Sequence, residues 1–391
     1  MEMIPSENHT SPAVLEAMST ILTDKYAEGY PKKRYYGGNE YIDEVELLAQ
    51  KRAQKLFSVP FANVQPYSGS PANMAVYLAC MEPGDKVLGM NLKDGGHLTH
   101  GWKVSFSGIY YKSAFYGVNQ ETERIDLEEV EKIAQKEKPK LIWVGGSAYP
   151  RQFDWKGFSK IADRVDAFLA ADIAHIAGLI VAEVHDSPVE YADIITTTTH
   201  KTLRGPRGGM VMVTDKGLRR DSDLQKKINK AVFPGLQGGP HEHQIAAKAV
   251  CFKEALEDDF KDYGKKVVKN NKKLAEELKK RDFRLITGGS DNHLSLIDLR
   301  NKKMGGKEAE SLLEKAGITI NKNAIPNDPA PPADPSGIRL GTPAITTRGM
   351  KSKEMIEIAH VIDEVITTKE VKKARKDIEK IARRFPLPYD F

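Results

Sequence analysis

Residues 196–209 read TTTTHKTLRGPRGG, a threonine run followed by a single lysine and a tight loop rich in glycine, proline and arginine. The largely apolar residues before it, 192–195, are typical of a buried strand. A lysine such as Lys201, held between a strand end and a rigid loop, can react with an aldehyde cofactor to form an imine. The alternative is an ordinary surface lysine in a basic loop.

Short apolar runs alternate with helical patterns on both sides of this stretch. The runs that we interpret as buried strands are residues 85–90, 141–144, 167–171, 194–197 and 210–213. Residues 127–136 place their apolar side chains on one helical face, with Asp126 as the candidate N-cap. This alternation predicts an α/β fold with a mostly parallel central sheet flanked by helices. Functional sites in such folds gather at the carboxyl ends of the strands.

The composition changes near residue 257, where lysine-rich helical patterns begin. Strand-like runs follow at residues 294–299 and 318–320, and helices are predicted to start near Ser352 and Glu370. We therefore predict an N-terminal arm at residues 1–33 that contacts a second subunit, a large cofactor-binding domain at 34–256 and a smaller C-terminal α/β domain at 257–391.

The bulk properties exclude several classes of protein. The chain has 391 residues, 40% of them hydrophobic and 29% charged, a profile typical of a globular protein with room for two domains. The net charge of +5 is diffuse, and the lysines of residues 265–281 are interspersed with glutamates. We interpret that region as a solvated helix face and expect no nucleic-acid partner.

The sequence shows no pattern typical of membrane insertion, targeting or redox chemistry. No stretch approaches the roughly 18 apolar residues that a membrane span needs, so we expect no membrane association. Residues 1–5 lack the pattern of a signal or transit peptide. Cys80 and Cys251 have neither metal-binding nor redox spacing. These features together predict a cytoplasmic protein.

Two motifs offer places for an anion. Ser68, Gly69 and Ser70 precede a helical pattern, and the backbone N–H groups of a helix N-terminus bind phosphate well. An ordinary helix cap would give the same pattern. The second motif, residues 235–240, is another backbone-rich turn. His241 and His243 follow it, but no third ligand stands at motif spacing, so we predict no metal site.

Other polar residues lie where a cofactor or a substrate could meet them. Asp172 ends a predicted strand, where a carboxylate can keep a pyridine nitrogen protonated, although it could also be a cap. His97, in a glycine-rich loop, could stack on a ring, and His175 follows Asp172 closely, yet isolated histidines are often structural. Arg339 stands in an apolar run and needs an anionic partner, either a substrate carboxylate or an internal salt bridge.

These motifs, taken together with Glu28 in residues 26–31 and Tyr36 in residues 34–38, resemble serine hydroxymethyltransferase over nearly the whole chain. The resemblance implies the aspartate aminotransferase-like fold (fold type I) of enzymes that depend on pyridoxal 5'-phosphate. It also implies the reversible transfer of the serine hydroxymethyl carbon to a reduced pterin, which yields glycine and a methylene-pterin through an external aldimine and a quinonoid.

The resemblance assigns expected roles to individual residues. Lys201 holds the cofactor, Asp172 pairs with the pyridine nitrogen and His97 stacks on the ring, while Thr198 and Arg207 shape the surroundings of the lysine. Further cofactor contacts are implied for Ser68, Gly69, Ser70, Ser147, His175 and His200, and for Tyr26, Gly238 and Gly239 from the other subunit of a homodimer with shared active sites. Contacts to serine or glycine are implied for Arg339, Ser6, Tyr36 and Glu28, with Glu28 as the acid–base group, and contacts to the pterin for Leu92, Gly95, Gly96 and Asn323.

The chain departs from the common family pattern in a few places. Pro71, the pair Lys93 and Asp94, and the pair Pro150 and Arg151 are unusual for the bacterial pattern. With the composition rich in lysine and glutamate, these departures resemble the archaeal branch, which implies tetrahydromethanopterin in place of tetrahydrofolate. Family members usually carry a longer N-terminal arm than the segment before Pro5, so we expect a less strongly fastened dimer.

Two other functions compete with this interpretation. The first is a pyridoxal-phosphate aldolase of the threonine type that cleaves β-hydroxy amino acids without a pterin. Glu28, Tyr36 and Asn323 argue against it as the main activity. The second is a binding protein that keeps the fold without catalysis and contacts RNA through the lysine-rich helix, and the presence of Lys201, Asp172 and Arg339 argues against that.

Overall fold

The computed structural model describes residues 1–389. In chain order, its strands are β1 (Gly29–Tyr30), β2 (Lys33–Arg34), β3 (Phe61–Asn63), β4 (Lys86–Met90), β5 (Lys112–Tyr116), β6 (Leu141–Val144), β7 (Phe168–Asp172), β8 (Ile194–Thr198), β9 (Gly209–Val213), β10 (Arg284–Leu285), β11 (Leu294–Asp298), β12 (Asn321–Asn323) and β13 (Gly337–Gly341). Its α-helices are α1 (Pro12–Met18), α2 (Glu40–Phe57), α3 (Gly69–Cys80), α4 (Phe106–Tyr110), α5 (Leu127–Glu137), α6 (Trp155–Arg164), α7 (Ala177–Val181), α8 (Asp215–Arg220), α9 (Leu224–Lys230), α10 (Glu242–Ala255), α11 (Asp258–Lys279), α12 (Gly306–Lys315), α13 (Pro343–Thr347), α14 (Ser352–Thr368) and α15 (Val371–Arg384).

A seven-stranded sheet with the order β3-β9-β8-β7-β6-β4-β5 forms the larger part of the molecule. The strands from β8 to β5 run parallel, and β9 pairs antiparallel with both β8 and β3. Every residue of β6, β8 and β9 is buried, because helices cover both faces of a sheet of this kind. The predicted α/β class with a mostly parallel sheet is confirmed.

Local sequence explains the individual elements well. Asp126 caps α5 as predicted, since its side chain accepts a hydrogen bond from the Glu128 backbone N–H at 3.0 Å. Helix α11 buries Phe260, Val267 and Leu274 on one face, while its lysines lie mostly on the other. The lysine-rich region is therefore an amphipathic helix, in agreement with its interpretation as a solvated face.

A second sheet, with the order β10-β11-β13-β12, is entirely antiparallel and packs against α11 and α12, which in turn contact α14. The strand predicted at residues 318–320 is wrong: the strand is β12, three residues later. Ile318 and Ile320 are buried in the core of this region, and this explains their apolar pattern. Met3 enters the same core and its backbone N–H donates to the Thr319 carbonyl at 2.9 Å.

The domain limits at residues 33 and 256 remain predictions. Residues of the N-terminal segment pack against both regions, since Met3 lies in the core of the second sheet and Val14 in that of the first. Among residues 1–389, no helix combines the length and the apolar character that crossing a bilayer requires.

Candidate active site

The carboxyl ends of adjacent parallel strands surround Lys201. Asp172 is the last residue of β7, and Lys201 follows β8 by three residues. Loops after β4 and β6 complete the wall together with the N-terminus of α3. The pocket is lined by Gly69, His97, Gly146, Ser147, Asp172, Ala174, His175, Thr198 and Lys201.

Asp172 is held rigidly as an ionised carboxylate. Its Oδ2 accepts hydrogen bonds from Asn73 Nδ2 at 2.8 Å and from the His100 imidazole at 3.0 Å, and its Oδ1 accepts one from the Ala174 backbone N–H. Burial by itself would raise the pKa of Asp172. The hydrogen bond from His100 and the nearby charges of His100, His97 and Lys201 outweigh burial and hold that pKa well below its usual range.

Lys201 is a buried amine whose proton is weakly held. Burial lowers its pKa to about 8, because the Asp172 carboxylate only partly offsets desolvation and the charges of Arg339 and Arg207 lower the pKa further. No hydrogen bond to Lys201 Nζ is formed within residues 1–389. A fraction of this amine is therefore neutral and free to react near neutral pH.

Lys248 provides an informative contrast. Burial also lowers its pKa, to about 7. Its Nζ, however, donates to three backbone carbonyls, those of Val64 at 2.5 Å, Pro66 at 3.2 Å and Gly209 at 2.8 Å. All three donors of this ammonium are thus engaged in holding the backbone beside the pocket. Lys201, with a free amine, is the better nucleophile.

His97 presents a neutral ring of fixed orientation. Burial lowers its pKa to about 4. Its Nδ1 accepts from the Thr99 backbone N–H at 3.2 Å and lies 2.7 Å from Thr99 Oγ1, which itself accepts a hydrogen bond from Asn73. Since Thr99 can donate its hydroxyl proton to Nδ1, the proton of the imidazole belongs on Nε2. This arrangement suits stacking on a cofactor ring.

The same residues have a geometry that could also hold a metal ion. One ligand atom each from His97, His100 and Asp172 lie within 4.8 Å of one another. These side chains already have hydrogen-bond partners, however, because His97 Nδ1 contacts Thr99 and His100 Nε2 donates to Asp172. The absence of a metal stays a prediction.

The N-terminus of α3 has the features of an anion-binding site. Ser68 occupies the N-cap position, but its side chain makes no capping hydrogen bond, so the first N–H groups of the helix are available to an anion. Close packing depends on Gly69, since a β-carbon there would lie 2.7 Å from Thr198 Cγ2. His200 Nδ1 is buried without a partner, and burial lowers the pKa of His200 to about 3.

Arg339 has no carboxylate partner within the described residues. Its Nε donates to Asn321 Oδ1 at 3.1 Å and its Nη1 donates to the Ser147 carbonyl. Burial lowers the pKa of Arg339 to about 10. The internal salt bridge considered for Arg339 is therefore not formed, and the guanidinium can receive a substrate carboxylate.

A second group of predicted site residues lies outside the lining of the Lys201 pocket. The rings of Tyr26 and Tyr36 are 5.1 Å apart, and these residues are 56% and 49% exposed. A β-carbon on Gly238 would lie 3.0 Å from Glu28 Oε1, and one on Gly239 would lie 3.2 Å from the Tyr26 ring. Within one chain, these five residues form a surface cluster of their own.

A buried ion-pair network fixes the segment that carries Glu28. Arg34 donates to the carbonyls of Ala27 at 2.7 Å and Gly29 at 3.2 Å, the two neighbours of Glu28. Its guanidinium also pairs with Asp43 at 2.8 Å and Glu46 at 2.7 Å. Glu28 is consequently presented from a rigid backbone, although it lies near the surface.

The remaining predicted residues occupy mixed positions. Gly95 and Gly96 are buried, and the Gly95 carbonyl accepts from the Ser147 N–H at 2.7 Å, so this pair positions the walls of the pocket. Leu92 and Asn323 are half-buried. Ser6 follows Pro5, which packs against Gly341 near Arg339.

Sequence reasoning missed several residues that hold the predicted ones in place. Asn73 and His100 bind Asp172, Asn321 binds Arg339, and His293 contacts His175 at 3.2 Å. Asn73 and His100 are close in sequence to predicted residues, since Asn73 is one helical turn beyond Gly69 and His100 is three residues after His97. Asn321 and His293 have no comparable signal in the sequence.

The residues present fit pyridoxal phosphate, because a free buried amine, an ionised carboxylate and the uncapped N-terminus of α3 line one pocket. Fold and site therefore define a fold type I enzyme that depends on this cofactor. The family model described as serine hydroxymethyltransferase matches residues 1–362. The chain belongs to the serine hydroxymethyltransferase family, whose members use pyridoxal phosphate to interconvert serine and glycine by hydroxymethyl transfer.

The lowered pKa of Lys201 predicts how cofactor capture depends on pH. The rate at which cofactor-free protein binds pyridoxal phosphate should rise with pH through a midpoint near 8, because only the neutral amine attacks. In Asp172→Asn, the charge that raises the pKa of Lys201 is lost, so the midpoint should move to lower pH. Stopped-flow absorbance measures both, with Asp163→Asn, an exposed carboxylate, as the control. A midpoint near 10.5, the ordinary value for lysine, would contradict this assignment.

Proposed function

We propose that this protein catalyses the reversible transfer of the serine hydroxymethyl carbon to a reduced pterin, with tetrahydromethanopterin as the pterin. The observation that carries the proposal is the pairing of a free, partly neutral amine at Lys201 with an arginine, Arg339, that has no carboxylate partner in the described chain. One group suits the cofactor aldehyde, and the other suits the carboxylate of an amino acid.

The residues divide the work as follows. Lys201 would hold the cofactor through its amine, Asp172 would keep the pyridine nitrogen protonated, and His97 would cover one face of the ring. Bound pyridoxal phosphate supplies an electron sink for the bond broken at the substrate α-carbon. Arg339 orients the substrate carboxylate, and Glu28 is the candidate to move the proton of the hydroxymethyl oxygen. His200 and the N-terminus of α3 would bind the phosphate.

Several roles in this proposal depend on a second subunit. Tyr26, Glu28, Tyr36, Gly238 and Gly239 cluster on the surface and do not line the Lys201 pocket of their own chain. In a two-fold symmetric dimer, such a cluster can complete the pocket of the partner. We propose a homodimer with shared active sites, to which Ser6 adds a substrate contact beside Arg339.

Subunit complementation tests this arrangement. Lys201→Ala and Glu28→Gln should each be inactive alone, because every site then lacks one group. After unfolding and refolding in an equal mixture, half of the dimers are mixed and each has one intact site, so about a quarter of wild-type activity should return. Activity that stays absent would mean that both residues act within one subunit.

The matched control for this experiment mixes Lys201→Ala with Asp172→Asn. These two residues line the same pocket of one chain, so each site of the mixed dimer still carries one defect. No activity should return in this mixture. If activity did return in this control, the recovery in the first mixture could not be attributed to a shared active site.

The pterin proposal rests on the segments that flank the pocket loops. Lys93 is exposed, and burial raises the pKa of Asp94 to about 6, directly before Gly95. Arg151 donates to Asp291 at 2.7 Å and thus joins the loop after β6 to the second sheet region. These are the positions that resemble the archaeal branch. Leu92, Gly95, Gly96 and Asn323 remain the proposed pterin contacts.

Steady-state kinetics decide among the candidate reactions. The ratio kcat/KM for serine should be higher with tetrahydromethanopterin than with tetrahydrofolate, because the departures near Gly95 alter the proposed pterin site. Equal or better use of tetrahydrofolate would contradict the pterin assignment and leave hydroxymethyl transfer standing. Cleavage of β-hydroxy amino acids that responds to neither pterin would favour the aldolase alternative.

We also propose that the enzyme acts in the cytoplasm. Both of its cysteines are free thiols, and Cys251 is buried. Burial raises the pKa of both thiols above the ordinary value, so neither is poised for redox chemistry. A reducing compartment suits such unpaired thiols.

A further inference from the structure

Two buried imidazoles meet at the back of the Lys201 pocket. His175 follows β7 of the large sheet, and His293 directly precedes β11 of the second sheet. His175 Nδ1 lies 3.2 Å from His293 Nε2, and the rings are inclined by only 28°. His293 is fully buried, whereas His175 reaches the lining of the pocket. His293 has no role in the function proposed above.

Both imidazoles are neutral. Burial is the main cause that holds the pKa of His175 well below its ordinary value, and the charges of Lys201 and Arg339 act in the same direction. Burial likewise depresses the pKa of His293, together with Arg339, His185 and Lys201. Since neither ring is protonated twice, the contact between the two nitrogens contains one proton, which belongs to one ring or the other.

The surroundings of His293 decide which ring donates. Its Nδ1 is buried and has no hydrogen-bond partner. If His175 donated from Nδ1, His293 would have to carry its own proton on Nδ1 as a buried, unpaired N–H. If His293 donates from Nε2, its Nδ1 is only an unpaired acceptor. Orphaned N–H groups are the rarer defect in folded proteins, so the second arrangement is favoured.

We propose that His293 is a positioning residue that fixes His175 in the tautomer with its proton on Nε2, so that His175 presents an N–H donor to an acceptor oxygen in the pocket. That oxygen belongs to the cofactor ring or to the substrate, and this part of the inference rests on the proposed function. His293 itself touches neither of them.

Hydrogen bonds on both sides keep the pair aligned. Asn271 Nδ2 donates to the carbonyls of Asn292 and Leu294, the two neighbours of His293, each at 3.0 Å. Thr202, the residue after Lys201, donates from its Oγ1 to the His175 carbonyl at 3.0 Å. A shift of the second sheet region would therefore alter the hydrogen bonding of His175. The pair links that region to the cofactor pocket.

The direct test is the tautomer of His175, read from ¹⁵N chemical shifts of the imidazoles in the full-length protein, with and without pyridoxal phosphate. The resonance is assigned by its loss in His175→Gln. We expect the Nε2–H form in the wild type, unchanged over neutral pH. In His293→Leu, which removes the donor, this preference should disappear. A wild-type His175 with its proton on Nδ1 would overturn the proposal.

The affinity for pyridoxal phosphate and the pH dependence of its absorbance band supply a second readout. His293→Leu should weaken cofactor binding by roughly tenfold, the effect of one lost hydrogen bond, and should shift the pH dependence of the band. His293→Gln, whose amide can still donate, should recover most of both. His185→Leu, the loss of a buried histidine that lies near His293 but bonds to the Asp186 carbonyl and to neither ring of the pair, should leave both unchanged.

These outcomes are separable from the fate of the proposed function. If no pterin accepts the hydroxymethyl carbon, while the tautomer follows His293 as expected, the proposed function fails and the role of His293 stands. If His293→Leu does not fold, the tautomer of His175 in the wild type and the cofactor affinity of His293→Gln still test the role of His293. Identical effects of His293→Leu and His185→Leu would reduce His293 to a packing residue and overturn the proposal.

Discussion

The candidate active site depends on one electrostatic arrangement, a buried amine beside a buried carboxylate at the carboxyl ends of two adjacent parallel strands. Desolvation weakens the hold of Lys201 on its proton, and the hydrogen bonds from Asn73 and His100 keep Asp172 ionised at the same time. Such a pair is costly to bury, so the surrounding structure must fix it. The fully buried strands of the large sheet provide that rigidity.

The second sheet region contacts two residues that line the pocket. Arg339 reaches across to the Ser147 carbonyl, and His293 contacts His175. Both contacts cross between regions that have separate hydrophobic cores. The position of Arg339, the proposed substrate contact, and the orientation of the His175 imidazole therefore depend on the same packing between the two regions.

The sequence predicts well the functional residues at strand ends, but it predicts poorly the residues that hydrogen-bond to them and hold them in place. Lys201 and Asp172 follow apolar runs with clear strand character, so topology alone brings them together. Asn321 reaches Arg339 because β12 and β13 pair these two residues in register, and no local pattern reveals that pairing. The prediction of a strand at residues 318–320 fails for a related reason. The isoleucines there are buried in the core, but burial alone does not show which residues form hydrogen bonds with a neighbouring strand.

The most direct test of the central claim is to identify the lysine that carries the cofactor. Protein loaded with pyridoxal phosphate is reduced with borohydride, digested and analysed by mass spectrometry. We expect one pyridoxyl group per chain, on the peptide that contains Lys201, and none in Lys201→Ala. A label on Lys248, the other deeply buried lysine of lowered pKa, or an unlabelled chain would contradict it.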